Sequence, residues 1–347
     1  MTTVYLIRHA EAEGNLYRRS QGHYNATITD RGYAQIAALS RRFADVPIDA
    51  AYSSDLARTQ TTALAVTLSH GLPLHTTEQL REVCMGEWED RTWADLSYHD
   101  KEMLIRFNND AGNWHVPGAQ DVYSVRDRMR RAIEEIIAAH PNQTVAVFSH
   151  GMALRLLIGT LQGLSIAEID KTSHGENTAV TKLEADERGI RVIYRDDASH
   201  LSEELTTLHR QLWTKNKGGL EPGIYFRPSG RDGHFDVLSE ETVVGAVSVG
   251  RCANGVAQIE EYWLEEAEQR KNYGIQLLGQ AISYARAQGC DRVRAVIPRS
   301  DALGLHCAEH WGMYAVRANA ELVVMEKYFG YDPDYRVMKL KEALGEK

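Results

Sequence analysis

The chain has 347 residues, a length that suits two domains better than a single hydrophobic core. Hydrophobic residues make up 43% of it and charged residues 25%, which argues against disordered and fibrous classes. The net charge is −9 and no basic run appears, which argues against nucleic acid and anionic membranes as partners. No stretch approaches the roughly 20 apolar residues of a membrane span, and no basic leader precedes the first apolar run. We therefore expect a cytoplasmic protein.

The four cysteines are far apart in the sequence and show no CxxC or CxxH spacing. They are Cys84, Cys252, Cys290 and Cys307. This spacing argues against a zinc knuckle and against a disulfide framework. We therefore expect buried or idle free thiols in a reducing cytoplasm.

The first part of the chain alternates short apolar runs with helical patterns. Strands are expected at residues 4–7, 50–53, 144–148, 179–183 and 190–194, and helices at residues 29–43, 55–68, 124–139 and 151–161. This alternation predicts an α/β domain with a mainly parallel sheet and helices on both of its faces. His9 and His150 each follow the end of a strand, where such sheets bind ligands, so one pocket could hold both.

The pattern changes after about residue 201. A polar stretch rich in Gly, Lys and Pro reaches residue 222 and suits a linker or a bridging helix. Beyond it, strands are expected at residues 242–250, 256–264, 292–297 and 321–326, and helices at residues 273–288 and 301–311. A hairpin followed by helices predicts a smaller α+β domain. We thus divide the chain into residues 1–201, 202–222 and 223–347.

Four segments of the first part carry residues suited to cleaving a phosphomonoester by a covalent route. They are LIRHAEAEGN from Leu6, SSDLARTQTTA from Ser53, LREVCMGEW from Leu80 and FSHG from Phe148. Such a route needs a nucleophile, cations around the transferred oxygens and a proton donor for the leaving alkoxide. The imidazole of His9 can attack phosphorus, and the guanidinium forks of Arg8 and Arg58 can pair with phosphate oxygens. His150 can hydrogen-bond a phosphoryl oxygen, and Glu82 is the candidate general acid, provided that its environment keeps it protonated.

Taken singly, these residues allow other interpretations. An Arg-His pair after a strand can be an ion pair or a cap, and a histidine before a glycine can serve only the helix N-terminus. A zinc site formed by His9, His23 and His150 is a further alternative, although no HxH or HExxH spacing supports it.

In this order and spacing, the four segments resemble the histidine phosphatase superfamily, also called phosphoglycerate mutase-like. The resemblance covers residues 1–201 and implies that His9 is the phosphorylated residue, without any metal. It also implies that Arg8, Arg58 and His150 bind the phosphoryl group and that Glu82 is the acid. The phosphate side of the pocket would further be lined by Asn15, Gln21, Gly22 and Gly151.

The departures from the family pattern remove no reacting group. Ala10 replaces the usual Gly, Ala12 the usual hydroxyl residue and Thr61 the usual Gln. Mutases of the family tend to be longer, so the compact first domain favours a phosphatase of small phosphorylated metabolites. A mutase, and a non-catalytic sensor of a phospho-metabolite and acyl-CoA, remain the alternatives.

The run LEEAEQRKNYGIQLL from Leu264 resembles the acyl-CoA loop of the GNAT acetyltransferase superfamily, Q/R-x-x-G-x-G/A. By this resemblance, which covers about residues 223–330, the loop that binds acetyl-CoA or CoA consists of Gln269, Arg270, Lys271, Asn272, Tyr273 and Gly274. Asn272 takes the place of the first Gly, and Asn is the residue other than Gly that best tolerates a positive φ.

Other features of the second domain depart from that family. Ala308 takes the place of a Tyr that protonates the departing thiolate in many members, and Cys307, His306 or His310 are possible substitutes. The region before Gly223 also lacks room for the usual first strand and two helices. An acetyltransferase, an acyl-CoA-binding module and a structural, dimerising appendage therefore all remain open. The sequence indicates neither the phosphoester, nor the acyl acceptor, nor the oligomeric state.

Overall fold

The computed structural model describes residues 1–172, 174–208, 211, 220–221, 223–269 and 271–346. These residues form two sheets, one of six strands and one of seven, which follow each other along the chain. Most of the linker predicted at residues 202–222 lies outside the described residues. Among the described residues, no helix is long and apolar enough to cross a membrane.

The first sheet is mainly parallel, as predicted. Its strands are β1 (Thr2–Arg8), β2 (Ala50–Ser54), β3 (Leu74–Thr77), β4 (Thr144–Ser149), β5 (Val180–Asp186) and β6 (Gly189–Asp197). Its helices are α1 (Glu13–Leu16), α2 (Asp30–Phe43), α3 (Ala57–His70), α4 (Trp93–His99), α5 (Lys101–Asn109), α6 (Val122–Ala139), α7 (Gly151–Leu161) and α8 (Ile166–Ile169). The strand order is β3-β2-β4-β1-β5-β6, in which β1 to β4 are parallel and β5 is antiparallel to both of its neighbours, β1 and β6.

The register of the two central strands sets the position of the site. β1 and β4 are adjacent and parallel, with Arg8 opposite Ser149. The next residues along the two strands are His9 and His150, so both histidines emerge at the same edge of the sheet. The apolar side chains of these strands lie in the core, which fixes the strands against helices on both faces.

The second sheet is mostly antiparallel. Its elements are β7 (Ile224–Pro228), β8 (His234–Ser239), β9 (Thr242–Val249), β10 (Val256–Leu264), α9 (Glu266–Gln269), α10 (Gly274–Ala287), β11 (Arg292–Pro298), α11 (Ala302–His310), β12 (Tyr314–Ala318), β13 (Leu322–Tyr328) and α12 (Pro333–Leu344). The strand order is β12-β13-β11-β10-β9-β8-β7, and only β10 and β11 are parallel to each other.

The second sheet begins with β7, directly after Gly223. The first strand expected there from the sequence was at residues 242–250, so β7 and β8 were not predicted. A short turn then joins β7 to β8, so no helix lies between these two strands. The hairpin is short because Gly230 and Gly233 both adopt a positive φ that permits tight turns.

The two halves of the chain are packed against each other. Helix α12 lies on α2 of the first domain, where Leu340 is buried in the first domain's core and Lys339 pairs with Asp30 at 3.0 Å. In the other direction, Tyr17 of the first domain is buried in the second domain's core. Its ring packs so closely on α10 that a Cβ on Gly279 would lie 2.5 Å from it.

The expectation that all four cysteines are free thiols was wrong. Cys252 and Cys290 form a disulfide, whereas Cys84 and Cys307 are free. Cys252 lies in the turn between β9 and β10, and Cys290 lies between α10 and β11. Because β10 and β11 pair at their starts, these two connections become neighbours, although 38 residues separate the cysteines in sequence.

Candidate active site

His9 is held as a neutral imidazole directly after β1. It is only 3% exposed, and burial together with the charges of Arg58 and Arg8 lowers its pKa well below the usual value. Its Nδ1 lies 2.7 Å from the carbonyl oxygen of Ala10, which accepts a hydrogen bond from the Nδ1 proton. This hydrogen bond selects the tautomer whose Nε2 carries a lone pair, the form that a nucleophile needs.

His150 lies beside His9 and is arranged as a donor. The two ring centroids are 5.4 Å apart. Burial and the charge of Arg58 lower the pKa of His150 well below its usual value. Its Nδ1 accepts a hydrogen bond from Nε of Arg58 at 3.2 Å, so the ring proton is on Nε2. That Nε2 is buried and has no partner among the described residues.

Two arginines surround the histidines. Arg58 is fully buried, which lowers its pKa to about 10, and it donates to the carbonyl oxygens of Gly22 and Tyr24 at 2.7 and 2.9 Å. Arg8 donates through Nη1 to the carbonyl oxygen of Gly175, while its Nε is buried and has no hydrogen-bond partner in the described part of the chain. A Cβ on Gly151 would lie 3.3 Å from the Arg8 guanidinium, so this glycine allows the arginine to approach the first turn of α7.

Helix α1 and the loop that follows it supply further polar groups. Asn15 Oδ1 accepts from the amide of Ala12 at 3.1 Å and from Nε2 of Gln21 at 3.2 Å. The other amide atom of Gln21, Oε1, is buried and finds no partner among the residues that the structure describes. A Cβ on Gly22 would lie 2.3 Å from the carbonyl oxygen of Val83, so only glycine fits there.

Glu89 is a residue that the sequence analysis missed. Its carboxylate accepts hydrogen bonds from the amides of Gly22, His23, Tyr24 and Met85 at 2.7–3.1 Å. It therefore holds the loop whose carbonyl oxygens hold Arg58. The carboxylate in the GEWED sequence could be noted from the sequence, but its hydrogen bonds to a loop more than 60 residues away could not be predicted.

Glu82 lies on the other side of the site, at the start of α7. Its carboxylate accepts from the amides of Val83, Met152 and Ala153 at 2.9–3.0 Å. It occupies the N-terminal end of a helix, a place that suits negative charge. His23 contacts the Glu82 carbonyl oxygen and not the two other histidines.

These side chains enclose a cavity of 140 Å³. Of the residues singled out in the sequence, those that line it are Arg8, His9, Asn15, Gln21, Glu82 and Gly151. Arg58, His150 and Gly22 form its next layer through the contacts given above. Buried donors without a partner, next to a neutral imidazole, are the features of an anion site beside a nucleophile.

The acyl-CoA loop predicted in the second domain is only partly assembled around a cavity. Asn272 has a φ of +60°, the conformation that its tolerance allows, and Gly274 begins α10. Gln269, Asn272 and Gly274 line a cavity of 710 Å³. Lys271 instead pairs with Glu268 at 2.8 Å, and Tyr273 lies outside this cavity. Arg270 lies outside the described residues.

This larger cavity opens because β10 and β11 separate. They pair only at residues 256–258 and 292–294, and beyond this point Tyr262 and Ile297 line the gap. Helix α11 closes one side with His306, Cys307 and His310. Burial raises the pKa of the Cys307 thiol, which keeps its proton. Glu261, a residue that the sequence analysis did not single out, also lines this cavity and contacts His234 at 3.1 Å.

Sequence comparisons agree with this geometry. Residues 4–197 match the Histidine phosphatase superfamily (branch 1). The chain belongs to this superfamily. Residues 199–313 match the Acetyltransferase (GNAT) family, so a histidine phosphatase domain is fused to a GNAT domain.

Similar proteins of the histidine phosphatase superfamily carry both phosphatase and mutase names. The Probable phosphoglycerate mutase GpmB of Erwinia tasmaniensis is 29% identical over 208 residues, which cover 58% of this chain and 96% of that protein. The Putative phosphoserine phosphatase 2 of Hydrogenobacter thermophilus is 26% identical over 201 residues, or 58% of this chain and 98% of that protein.

Solved structures support the same assignment. YhfR of Bacillus stearothermophilus has a TM-score of 0.57 at 27% identity and covers 58% of this chain and 100% of its own. The alpha-ribazole phosphatase of Shigella flexneri has a TM-score of 0.51 at 27% identity, and the match covers 56% of this chain and 96% of that protein. All four of these histidine phosphatase relatives correspond to little more than half of this chain.

Proposed function

We propose that the chain is a metal-independent phosphomonoesterase that works through a phosphohistidine on His9. The observation that carries this proposal is the pairing of a neutral imidazole with buried donors that lack partners. Nε of Arg8 and Nε2 of His150 are two such donors, and a phosphoryl group would satisfy both. The substrate would be a small phosphorylated metabolite.

The reaction would proceed in two steps. In the first, Nε2 of His9 forms a bond to phosphorus, the bond to the ester oxygen breaks, and Glu82 gives that oxygen a proton. In the second, water attacks phosphorus, Glu82 takes up its proton, and the bond between His9 and phosphorus breaks.

A mutase is the alternative, since relatives carry that name. A mutase of phosphoglycerate must also hold the carboxylate or the second phosphate of its substrate. The other arginines that line the cavity, Arg18 and Arg19, are each paired with a carboxylate, of Glu221 and Asp90. This pairing favours hydrolysis of a simpler monoester.

The test is phosphatase activity on a panel of phosphomonoesters, with EDTA present. We expect His9→Ala to lose turnover by several orders of magnitude, since it removes the nucleophile. Activity within tenfold of the wild type would contradict the assignment of His9. Glu82→Gln should impair alkyl phosphates far more than p-nitrophenyl phosphate, whose leaving group hardly needs a proton. Equal losses on both would argue against the acid role.

For the second domain we propose that it binds acyl-CoA. The amides around Asn272 and Gly274 would hold the pyrophosphate, and the gap between β10 and β11 would take the acyl arm. When bound, the acyl-CoA would supply an activated acyl group, and Glu261 with its partner His234 lies where it could accept a proton from an amine.

Calorimetric titration with CoA tests this second proposal. A Val at position 272 would resist the positive φ, so Asn272→Val should weaken CoA binding at least tenfold. The matched control is Asn109→Val, a change at an exposed asparagine of the first domain. If the wild type fails to bind CoA, the proposal is contradicted and the second domain has a structural role. If it binds CoA but transfers no acyl group to a panel of amines, the second domain is a binding module.

A further inference from the structure

Two of the arginines that line the cavity holding His9 are neutralised by carboxylates of the same chain. Arg18 lines it beside Asn15, whose carbonyl oxygen it contacts at 3.3 Å. Glu221, which also lines the cavity, engages Arg18 through two parallel bonds, one of them from Nε at 2.6 Å. The two side chains are 16% and 17% exposed, so water screens the pair only in part.

Glu221 does not belong to the phosphatase motifs. It lies between the two domains, next to Leu220, which packs against the core of the first domain. The amide of Glu221 donates to Oγ of Ser97 on α4 at 2.9 Å. Residues 220 and 221 are thus fixed on the first domain at the wall of its cavity, with the Glu221 carboxylate paired to Arg18.

Beyond Arg18, the other arginines that line the cavity offer little to a substrate carboxylate. Arg19 is only 7% exposed, and its Nε is paired with Asp90 at 2.6 Å. The remaining wall combines the apolar side chains of Val83, Met85, Trp93, Phe107, Met152 and Leu208 with the uncharged or weakly basic polar side chains of Ser20, Asn108, His174 and Gln211. Among the described residues that line the cavity, Arg8 alone of the three arginines has no carboxylate partner, and it faces the phosphoryl end.

We infer that Glu221 selects against substrates that carry a carboxylate, and that the site takes monoesters of uncharged, partly apolar alcohols. This inference rests on the proposed phosphatase activity. The Glu221 carboxylate occupies the bidentate edge of Arg18 that a substrate carboxylate would need. An acidic substrate must therefore break this pair or remain unpaired beside a like charge, and either one opposes binding.

The test compares two ligands that differ at one group. sn-Glycerol 3-phosphate has a hydroxymethyl group where 3-phosphoglycerate has a carboxylate. Each is measured as a competitive inhibitor of p-nitrophenyl phosphate hydrolysis, so the result does not depend on whether either compound is itself hydrolysed. For the wild type we expect the neutral compound to bind at least about tenfold more tightly, and for Glu221→Gln we expect the preference to fall by about tenfold or to reverse.

Two further variants separate charge from structure. The double variant Arg18→Gln/Glu221→Gln should not show the tighter binding of 3-phosphoglycerate expected for Glu221→Gln alone, because it lacks the guanidinium that the single variant frees. Glu187→Gln removes a charge from an exposed turn and should leave both inhibition constants unchanged. A merely structural role for Glu221 would weaken both ligands equally.

Each other outcome counts against a defined statement. A wild type that binds both ligands equally, a Glu221→Gln variant with an unchanged preference, or failure of both ligands to compete would overturn the inference. The proposed function is judged separately: if the wild type hydrolyses p-nitrophenyl phosphate and His9→Ala does not, phosphatase activity stands whatever the inhibition constants are. Absence of that hydrolysis in the wild type would overturn both.

Discussion

Glu89→Gln tests whether a residue outside the reacting set positions the phosphate site. Oε1 of Glu89 accepts from the amides of His23 and Met85, and Oε2 accepts from those of Gly22 and Tyr24. Glutamine keeps one acceptor oxygen and turns an NH₂ group toward the other two amides. Two charge-assisted bonds are lost, each worth about 1.5–3 kcal/mol. Because Glu89 is partly exposed and water can replace some of this, we expect the free energy of unfolding to fall by about 2–4 kcal/mol.

Glu89→Gln should also impair substrate binding by the folded protein, beyond what a general loss of stability would cause. The carbonyl oxygens of Gly22 and Tyr24 hold Arg58, so a loosened loop displaces a phosphate-binding guanidinium. We expect KM for p-nitrophenyl phosphate to rise about tenfold, measured well below the unfolding temperature. Urea unfolding and steady-state kinetics are the assays, and Glu87→Gln, at an exposed position in the same turn, is the control. A Glu89→Gln protein with wild-type unfolding and a KM within twofold of wild type would refute this reasoning.

Three other expectations concern leaving groups, the seam between the domains and pH. The Glu82→Gln variant should regain activity as the pKa of the leaving alcohol falls, which a series of aryl phosphates measures; a flat series would exclude proton donation. Arg286→Met leaves Glu13 buried without the ion pair seen at 2.8 Å, and should lower the free energy of unfolding by about 3–5 kcal/mol. The exposed Arg188→Met is its control, and a loss no larger than that of the control would contradict the expectation. Burial lowers the pKa of His200 to about 4, whereas an unfolded His titrates near ~6.5. The stability that this shift contributes is therefore complete above that value and is lost as pH falls toward the folded pKa, by up to about 1.4 kcal/mol per pH unit. Urea unfolding at pH 7, 6 and 5 measures it, and constant stability from pH 6.5 to 5 would be the contrary result.

The placement of the first site's residues was predictable because they lie at strand and helix ends that the sequence marks. The apolar runs before His9 and His150 predicted two strands, and the parallel sheet brings the two histidines together. The helix expected from residue 29 does begin there, since Oγ of Thr29 caps it by accepting from the amide of Gly32 at 3.0 Å. The roles assigned to these residues stay predictions until variants are assayed.

Other features depended on contacts that no local pattern encodes. Glu221 reaches Arg18 across about two hundred residues, and a salt bridge at that distance leaves no spacing to recognise. The disulfide between Cys252 and Cys290 exists because two connections become neighbours in the folded sheet. Strands β7, β8 and β12 were missed because they are short or do not alternate cleanly, and α12 because its apolar positions are few. In each case packing, rather than propensity, decides the structure.

The packing of α12 on the first domain means that neither domain can be obtained intact by cutting the chain between them. After the second sheet, the polypeptide returns to the first domain, where α12 lies on α2. Removal of the second domain would therefore expose to water Tyr17 and the apolar residues that surround Leu340. It would also remove the ion pair between Glu13 and Arg286. The two domains are produced at a fixed one-to-one ratio, and a substitution that damages their common boundary destabilises both at once.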